Sequence, residues 1–352
     1  MTQPIASKHP AGANSNGTSS ERKMINIEET VALLRNSDNI LVASHLRPDG
    51  DCVGSSVALV LGLQQLGKRV AAYNRDEINV KMNYLEGVEM FSRTFPEWPV
   101  DITVFVDCGA VHRVADDFVP PGKCTLNIDH HLSNDRYADY NYIDIEAAAV
   151  GEQICNILEK LGAKITPAIA AGAYLSVMSD TGGFRYSNTM ASTFDLAAEL
   201  VRAGASPGLT STMYYESRDP GELILTGRAF SRIRMELDGK LAWAELRTED
   251  YDAVGGEEIE PDGLVNELRQ MRGVEVSLLI HERKEGGLRA GLRGKGLVDC
   301  AAIASSFGGG GHFNASGLNM PDKPYEATRD YVVAETMRQM VEQLKTTPAE
   351  RK

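Results

Sequence analysis

Residues able to ligate a metal or move a proton stand at the ends of apolar runs in the first half of this chain. Asn39-Ile-Leu-Val-Ala-Ser leads into His45-Leu-Arg-Pro-Asp49-Gly-Asp51, and Asp101-Ile-Thr-Val-Phe-Val leads into Asp107. Lys123-Cys-Thr-Leu-Asn-Ile leads into Asp129-His130-His131, and the apolar stretch from Pro167 to Ser179 leads into Asp180-Thr-Gly-Gly. Each is ordinary alone: Asp49 reads as a helix N-cap, and His45 as a core histidine. Together, four segments aim carboxylates and imidazoles at one region. Carboxylates held that close repel, and some would have to stay protonated. A pair of divalent cations removes that cost. Aspartate with histidine suits manganese, iron or cobalt better than calcium. No thiolate is expected among them, which disfavours structural zinc. Two ions about 4 Å apart lower the pKa of a water between them and neutralise phosphoryl oxygens. The chemistry indicated is phosphoester hydrolysis.

The elements that must position these groups follow from periodicity. Asn39–His45, Arg69–Tyr73, Asp101–Asp107 and Lys123–Asp129 read as apolar strands. Cys52–Leu66, capped by Gly67, reads as a helix, as does 148–161, which ends at Gly162. Pro167–Ser179 is apolar nearly all round and reads as a buried helix. Alternating strands and helices predict an α/β fold, a mostly parallel sheet flanked by helices. In such sheets ligands bind beyond the carboxyl ends of the strands, where the residues above fall.

The second half has another pattern. Arg232–Leu237 and Leu241–Arg247 flank Asp-Gly-Lys, and Val274–Ile280 and Leu288–Arg293 flank Glu285-Gly-Gly287, which predicts two hairpins. A helix over 324–345 closes a smaller, mixed α/β domain. Phe307 precedes four glycines, Gly308, Gly309, Gly310 and Gly311, and then His312. Successive backbone N–H groups there are expected to form a concave nest for phosphate, with His312 as a further donor. Arg293, and Arg185 beyond Asp180, are candidate phosphate forks. His9, His112 and His281 have no supporting context. The cleft between two domains is the default place for such a site.

At 352 residues the chain has room for two domains, and its charge of −13 argues against coating long nucleic acid. An acidic protein that handles phosphate is expected to do so in one local cleft, on small substrates. The five cysteines include no Cys-x-x-Cys pair and their number is odd, which argues against a zinc ribbon and a disulfide framework. No apolar run spans a bilayer, and residues 1–24 read as a disordered leader without a secretory core. The default location is cytoplasmic.

These residues resemble the DHH phosphoesterase superfamily, for which Asp129-His130-His131 is the signature, and Arg293 with Gly308–His312 resembles the companion DHHA1 domain. Length, domain order and Pro261-Asp-Gly-Leu-Val-Asn-Glu267 are most similar to the subfamily of bifunctional nanoRNases and pAp phosphatases. The resemblance implies a DHH domain over 25–215, a connection over 216–230 and a DHHA1 domain over 231–346. It implies that His45, Asp49 and Asp107 bind a first metal, and that Asp51, Asp107, His130 and Asp180 bind a second. It makes His131 a proton donor or phosphate ligand oriented with its neighbour by Asp129. It gives Arg293, Gly308–Gly311 and His312 to the substrate, and manganese as the usual ion. One departure is visible: Ala147-Ala-Ala-Val-Gly-Glu152 lacks an expected Ser/Thr pair. The implied activity is manganese-dependent release of mononucleotides from very short RNA, and of AMP from 3′-phosphoadenosine 5′-phosphate. No membrane or long nucleic acid is expected as partner, and a homodimer is left open. A linear or cyclic dinucleotide phosphodiesterase of the c-di-AMP type would share every motif. A RecJ-like exonuclease would need extra binding modules, a pyrophosphatase would not need the glycine run, and a non-catalytic metal-binding regulator is the rival of another class.

Overall fold

The computed structural model describes residues 22–256 and 263–346, with the backbone alone for His312 and Thr346. The chain divides into two compact units after Glu216. Of the expected leader only Arg22–Met24 lie among the described residues, and Lys23–Met24 are a short strand, not leader. Pro261 and Asp262 lie outside the described residues.

The first unit runs β1 (Lys23–Met24), α1 (Ile27–Arg35), β2 (Asn39–Ala43), α2 (Gly50–Gln65), β3 (Arg69–Tyr73), β4 (Phe91–Ser92), β5 (Ile102–Val106), β6 (Cys124–Asp129) and β7 (Tyr140–Ile143). It continues through α3 (Val150–Leu161), α4 (Pro167–Asp180), α5 (Ala191–Ala203) and α6 (Pro207–Tyr215). All seven strands pair in parallel, in the order β1-β7-β6-β5-β2-β3-β4. Ile40–Ala43 and Ile102–Val106 are buried throughout. Strands covered on both faces have this apolar, β-branched character. Strand order reverses between β2 and β5, and a crevice opens at the carboxyl ends where it does so. His45 follows β2 and Asp107 follows β5, so both stand at that switch point.

Thr166 caps α4 through its side chain, with Pro167 at the first helical position. Asp49 caps α2 in the same way. These two helices approach until their backbones touch. A Cβ on Gly54 would lie 2.4 Å from the carbonyl oxygen of Gly172, and one on Gly172 would lie 2.7 Å from that of Gly54. Neither carbonyl can rotate away as a side chain would. Gly54→Ala is expected to cost about 1–3 kcal/mol by overpacking, visible as a lower denaturant midpoint. It should also weaken divalent-ion binding, because the two helices carry Asp51 and Asp180. A variant with unchanged stability would mean that the helices separate freely.

The second unit contains α7 (Pro220–Ser231), β8 (Arg234–Glu236), β9 (Leu241–Leu246), α8 (Thr248–Asp252), α9 (Leu264–Arg269), β10 (Val276–Glu282) and β11 (Gly287–Gly294). It ends with α10 (Cys300–Ser305), β12 (Gly310–His312), β13 (Ala315–Pro321) and α11 (Tyr325–Thr346). Its sheet has the order β12-β13-β11-β10-β9-β8 and is mixed, with β9 and β10 parallel and the other pairs antiparallel. Both expected hairpins are present, and Leu237, Asp238 and Gly239 at the first turn all have positive φ. The stretch 216–230, expected as a connection, is mostly α7. Its Leu225 and Ala229 are buried with Ala244 and Leu246 of β9. Asp219-Pro220-Gly221 reads as a break, but here Asp219 is an N-cap and Pro220 opens the helix. Among the described residues no helix is long and apolar enough to cross a membrane.

Candidate metal centre

Asp107 stands directly behind β5 with φ of 54°, in the left-handed region that a side chain with a Cβ rarely adopts. Such a conformation costs about 1–3 kcal/mol and persists where the surroundings impose it. Here the surroundings are carboxylate and imidazole side chains. His45 Nε2 lies 3.6 Å from Asp107 Oδ2 and 3.8 Å from Asp49 Oδ1. His130 Nε2 lies 3.7 Å from Asp51 Oδ2, 3.8 Å from Asp180 Oδ2 and 3.9 Å from Asp107 Oδ1. These separations are too long for hydrogen bonds. Two donors bound at about 2.1 Å to one ion stand roughly this far apart. Asp107 Oδ1 is buried and has no hydrogen-bond partner, a costly state unless a cation completes it.

Backbone carbonyls set both imidazole tautomers. His45 Nδ1 is 2.8 Å from the Leu46 carbonyl and His130 Nδ1 is 3.1 Å from that of Ala147. A carbonyl only accepts, so Nδ1 carries the proton and Nε2 turns its lone pair to the cluster, as a metal ligand requires. The carboxylates are held as well. Ser176 Oγ donates to Asp51 Oδ1 at 2.5 Å, and the Val150 N–H donates to Asp51 Oδ2 at 3.0 Å. Asn188 Nδ2 lies 3.4 Å from Asp180 Oδ2. Asp129 Oδ1 accepts from His131 Nδ1 at 2.7 Å and from the His130 N–H at 2.8 Å, while Asn134 Nδ2 donates to Oδ2. Both Asp129 oxygens are thus occupied by hydrogen bonds, and Oδ1 holds the His130-His131 pair.

Charge in this region is poorly compensated without cations. Burial and the neighbouring Asp51, Asp49, Asp129 and Asp180 push Asp107 well above the usual carboxylate range. Burial raises Asp51, against the pull of His130 and the Ser176 hydroxyl. Burial, then Asp51, raises Asp180 to about 7. For His45, burial works downward, but Cys52 and Asp49 outweigh it and the imidazole rises to about 9. The donor set of oxygens and imidazole nitrogens fits divalent ions, and its metal-free form holds protons in their place. The stability that protonated Asp180 contributes is fully present below its ordinary pKa of 3.8 and lost as pH rises through about 7. Chelator-treated protein is therefore expected to melt at progressively lower temperature between about pH 4 and pH 7. Adding a divalent ion, or Asp180→Asn, should flatten that slope. An unchanged slope in Asp180→Asn would remove Asp180 from the account.

The structure brings His45, Asp49, Asp51, Asp107, His130, His131 and Asp180 together as the sequence analysis expects. Asp49 is the outermost, with its side chain 58% exposed and its Oδ1 accepting from the Cys52 N–H. One expectation is corrected. A sulfur does stand in the cluster: Cys52 offers its Sγ within 4.8 Å of ligand atoms of His45 and Asp107. The residues missed are Cys52, Ser176 and the backbone of Ala147–Val150. That last segment lacks hydroxyl side chains and contributes main-chain groups, the Ala147 carbonyl and the Val150 N–H.

The candidate substrate residues lie in both units. Arg185 is exposed, with Nε donating to the Gly182 carbonyl at 2.5 Å. Arg293 on β11 and His312 on β12 both pair with Ala315 of β13 and so share one rung of the sheet. The expected nest over Gly308–Gly311 is not continuous. The Gly308 and Gly309 N–H groups donate to Ser305 and Ala304 and cap α10. A Cβ on Gly311 would lie 2.5 Å from the Ala315 carbonyl, so this glycine serves the close approach of β12 to β13.

Comparison with known proteins agrees with this geometry. Residues 39–177 match the DHH family, N-terminal domain, and residues 254–346 match the DHHA1 domain. A Thermus thermophilus protein named bifunctional oligoribonuclease and PAP phosphatase NrnA is 32% identical, over 85% of this chain and 90% of its own length. A Bacillus subtilis protein of the same name is 27% identical over 80% of this chain and 90% of its own length. Among solved structures, an exopolyphosphatase-related protein from Bacteroides fragilis superposes with a TM-score of 0.81 at 22% identity, covering 91% of this chain and 96% of that one.

Proposed function

Since the chain belongs to the DHH family and is a phosphoester hydrolase with a DHHA1 domain, we propose that manganese is its working ion and that it acts on very short substrates. These are oligoribonucleotides of a few residues, cut to mononucleotides, and 3′-phosphoadenosine 5′-phosphate, cut to AMP. The observation that carries the reading is the buried Asp107 carboxylate, shared between the His45 and His130 sides of the cluster with one oxygen unpartnered. The names of the relatives support the substrate class.

In this reading His45, Asp49 and Asp107 hold one ion, and Asp51, Asp107, His130 and Asp180 hold the other. When bound, the pair acidifies the attacking water and neutralises the phosphoryl oxygens. The protein does the rest. Ser176 and the Val150 N–H fix Asp51 in one orientation. Asp129 anchors His131 through Nδ1, and Nε2 is the nitrogen that would donate a proton to the departing ribose oxygen. Arg185, Arg293, Gly310, Gly311 and His312 hold the remainder of the substrate, while Gly308 and Gly309 shape the loop.

A panel of pApA, 3′-phosphoadenosine 5′-phosphate, cyclic di-AMP and longer RNA, each with manganese, tests the reading. Turnover of the first two is expected to exceed that of the others. Preference for the cyclic dinucleotide would move the chain to the phosphodiesterase alternative. Bound metal with no turnover on any of them would make it a regulator.

A further inference from the structure

We propose that the Cys52 thiol is a donor to the ion held by His45 and Asp107, so that this ion has one soft ligand and the ion on the His130 side has none. The inference rests on the reading of the cluster as a metal centre and specifies which ion each half takes. Three observations carry it. Cys52 Sγ, a His45 ring nitrogen and an Asp107 carboxylate oxygen all lie within 4.8 Å of one another, and all three residues are buried. Donors on one ion, at about 2.0–2.3 Å from it, stand at such separations. Asp107 turns Oδ2 to His45 Nε2 at 3.6 Å, too long for a hydrogen bond and of the order expected for two donors on one ion. Asp49, the other candidate on this side, is mostly exposed, and its Oδ1 already accepts from the Cys52 N–H at 3.0 Å. That hydrogen bond also pins the first turn of α2 and with it the position of the sulfur.

The other cysteines have no such setting. Among the groups of metal-ligating side chains in the described residues, Cys52 is the sole sulfur. Cys108, the nearest in sequence to Asp107, donates its thiol to the Ala110 carbonyl instead.

Binding exchanges a proton for the ion: the S–H proton leaves to solvent and the thiolate takes its place on the metal. Thiolate favours zinc, iron or cobalt, whereas Asp51, His130 and Asp180 offer only oxygen and imidazole nitrogen, the ligands of manganese and magnesium as well. The two halves of one centre therefore prefer different ions, and the His45 half is the one that retains its metal against a hard-ion background.

X-ray absorption on the full chain loaded with one equivalent of zinc tests this directly. A sulfur scatterer at about 2.3 Å is expected, absent in Cys52→Ser and Cys52→Ala. With cobalt, the wild type should show a near-ultraviolet sulfur-to-cobalt charge-transfer band that both variants lose. The preference of the tightest site for zinc over manganese should fall at least tenfold in Cys52→Ala. A wild-type spectrum with only nitrogen and oxygen scatterers, in protein that binds zinc and still cleaves pApA with manganese, overturns the thiol assignment and leaves the proposed function standing. A sulfur scatterer in protein that cleaves no oligonucleotide does the reverse. The wild-type spectrum decides even where a variant folds poorly, and failure to bind any ion would sink both.

Discussion

Asp107→Asn is expected to lower turnover of pApA by about a thousandfold or more and at the same time to raise the melting temperature of the metal-free protein. The two effects share one cause. Asp107 is 3% exposed, has an unpartnered buried oxygen and lies between His45 and His130. Loss of one preorganised charge-stabilising contact typically costs about 10²–10³ in rate. Asparagine keeps the shape of the side chain but removes the negative charge shared by both ions, so the loss should sit at or above the top of that range. Metal content by mass spectrometry should fall with it. Without metal the same charge is a burden, because burial and four neighbouring aspartates hold the Asp107 pKa well above its ordinary value. A raised folded-state pKa means stability that is present at low pH and lost as pH rises. The amide has no such loss. At pH 8 the metal-free variant should therefore melt above the wild type, by about 2–4 °C for each kcal/mol recovered, and the difference should shrink on acidification towards pH 4. A variant that lost turnover and stability together would argue that Asp107 holds the fold, not an ion. One that kept turnover would place the chemistry elsewhere.

What was legible beforehand divides along the geometry of the elements. Candidate site residues at strand ends announce themselves, because an apolar run of five or six residues stops abruptly at Asp107 or at Asp129-His130-His131. A parallel sheet gives such an end only one direction in which to face. Those on the flank of a helix do not. Cys52 sits among Val53, Val57 and Ala58, all buried, and a small thiol there reads as core. Ser176 was open to detection. It lies inside α4, which is apolar nearly all round, and is 0% exposed. A hydroxyl there must find a partner, and it finds Asp51. The Ala147–Val150 contribution left no trace in side-chain identity, since it is made by main-chain groups. In the second unit α7 was hidden because proline and glycine at a helix start carry the same letters as a break. The glycine run read as a single feature, but Gly308 and Gly309 end a helix and Gly311 accommodates a neighbouring strand. Local letters specify that backbone freedom is needed and not which of several reasons requires it.

His131→Ala separates proton delivery from metal binding. In the proposed site His131 is the imidazole tied to a carboxylate instead of a carbonyl: Asp129 Oδ1 accepts from Nδ1 at 2.7 Å, whereas Nδ1 of His45 and of His130 meets Leu46 and Ala147 carbonyls. A carboxylate behind Nδ1 fixes the ring in one orientation and aims Nε2 outward, the placement a proton donor needs. Burial would raise Asp129, but the hydrogen bonds from His131 and Asn134 and the charges of His131 and His130 together outweigh it, and the acid lies below its ordinary value, so it remains ionised in that role. Removing the ring is expected to lower kcat on pApA by about 10²–10⁴, the usual yield of a positioned acid, with bound metal unchanged. The loss should largely vanish on a p-nitrophenyl ester of a nucleotide, because that leaving group departs as a stable anion without a proton. Equal losses on both substrates would instead make His131 a ligand of the phosphoryl group, and a fall in metal content would make it a ligand of the ion beside Asp107, whose Oδ1 lies 3.5 Å from Nδ1. Asp129→Asn should reproduce the selective loss more weakly, since an amide oxygen can still accept from Nδ1 and position the ring.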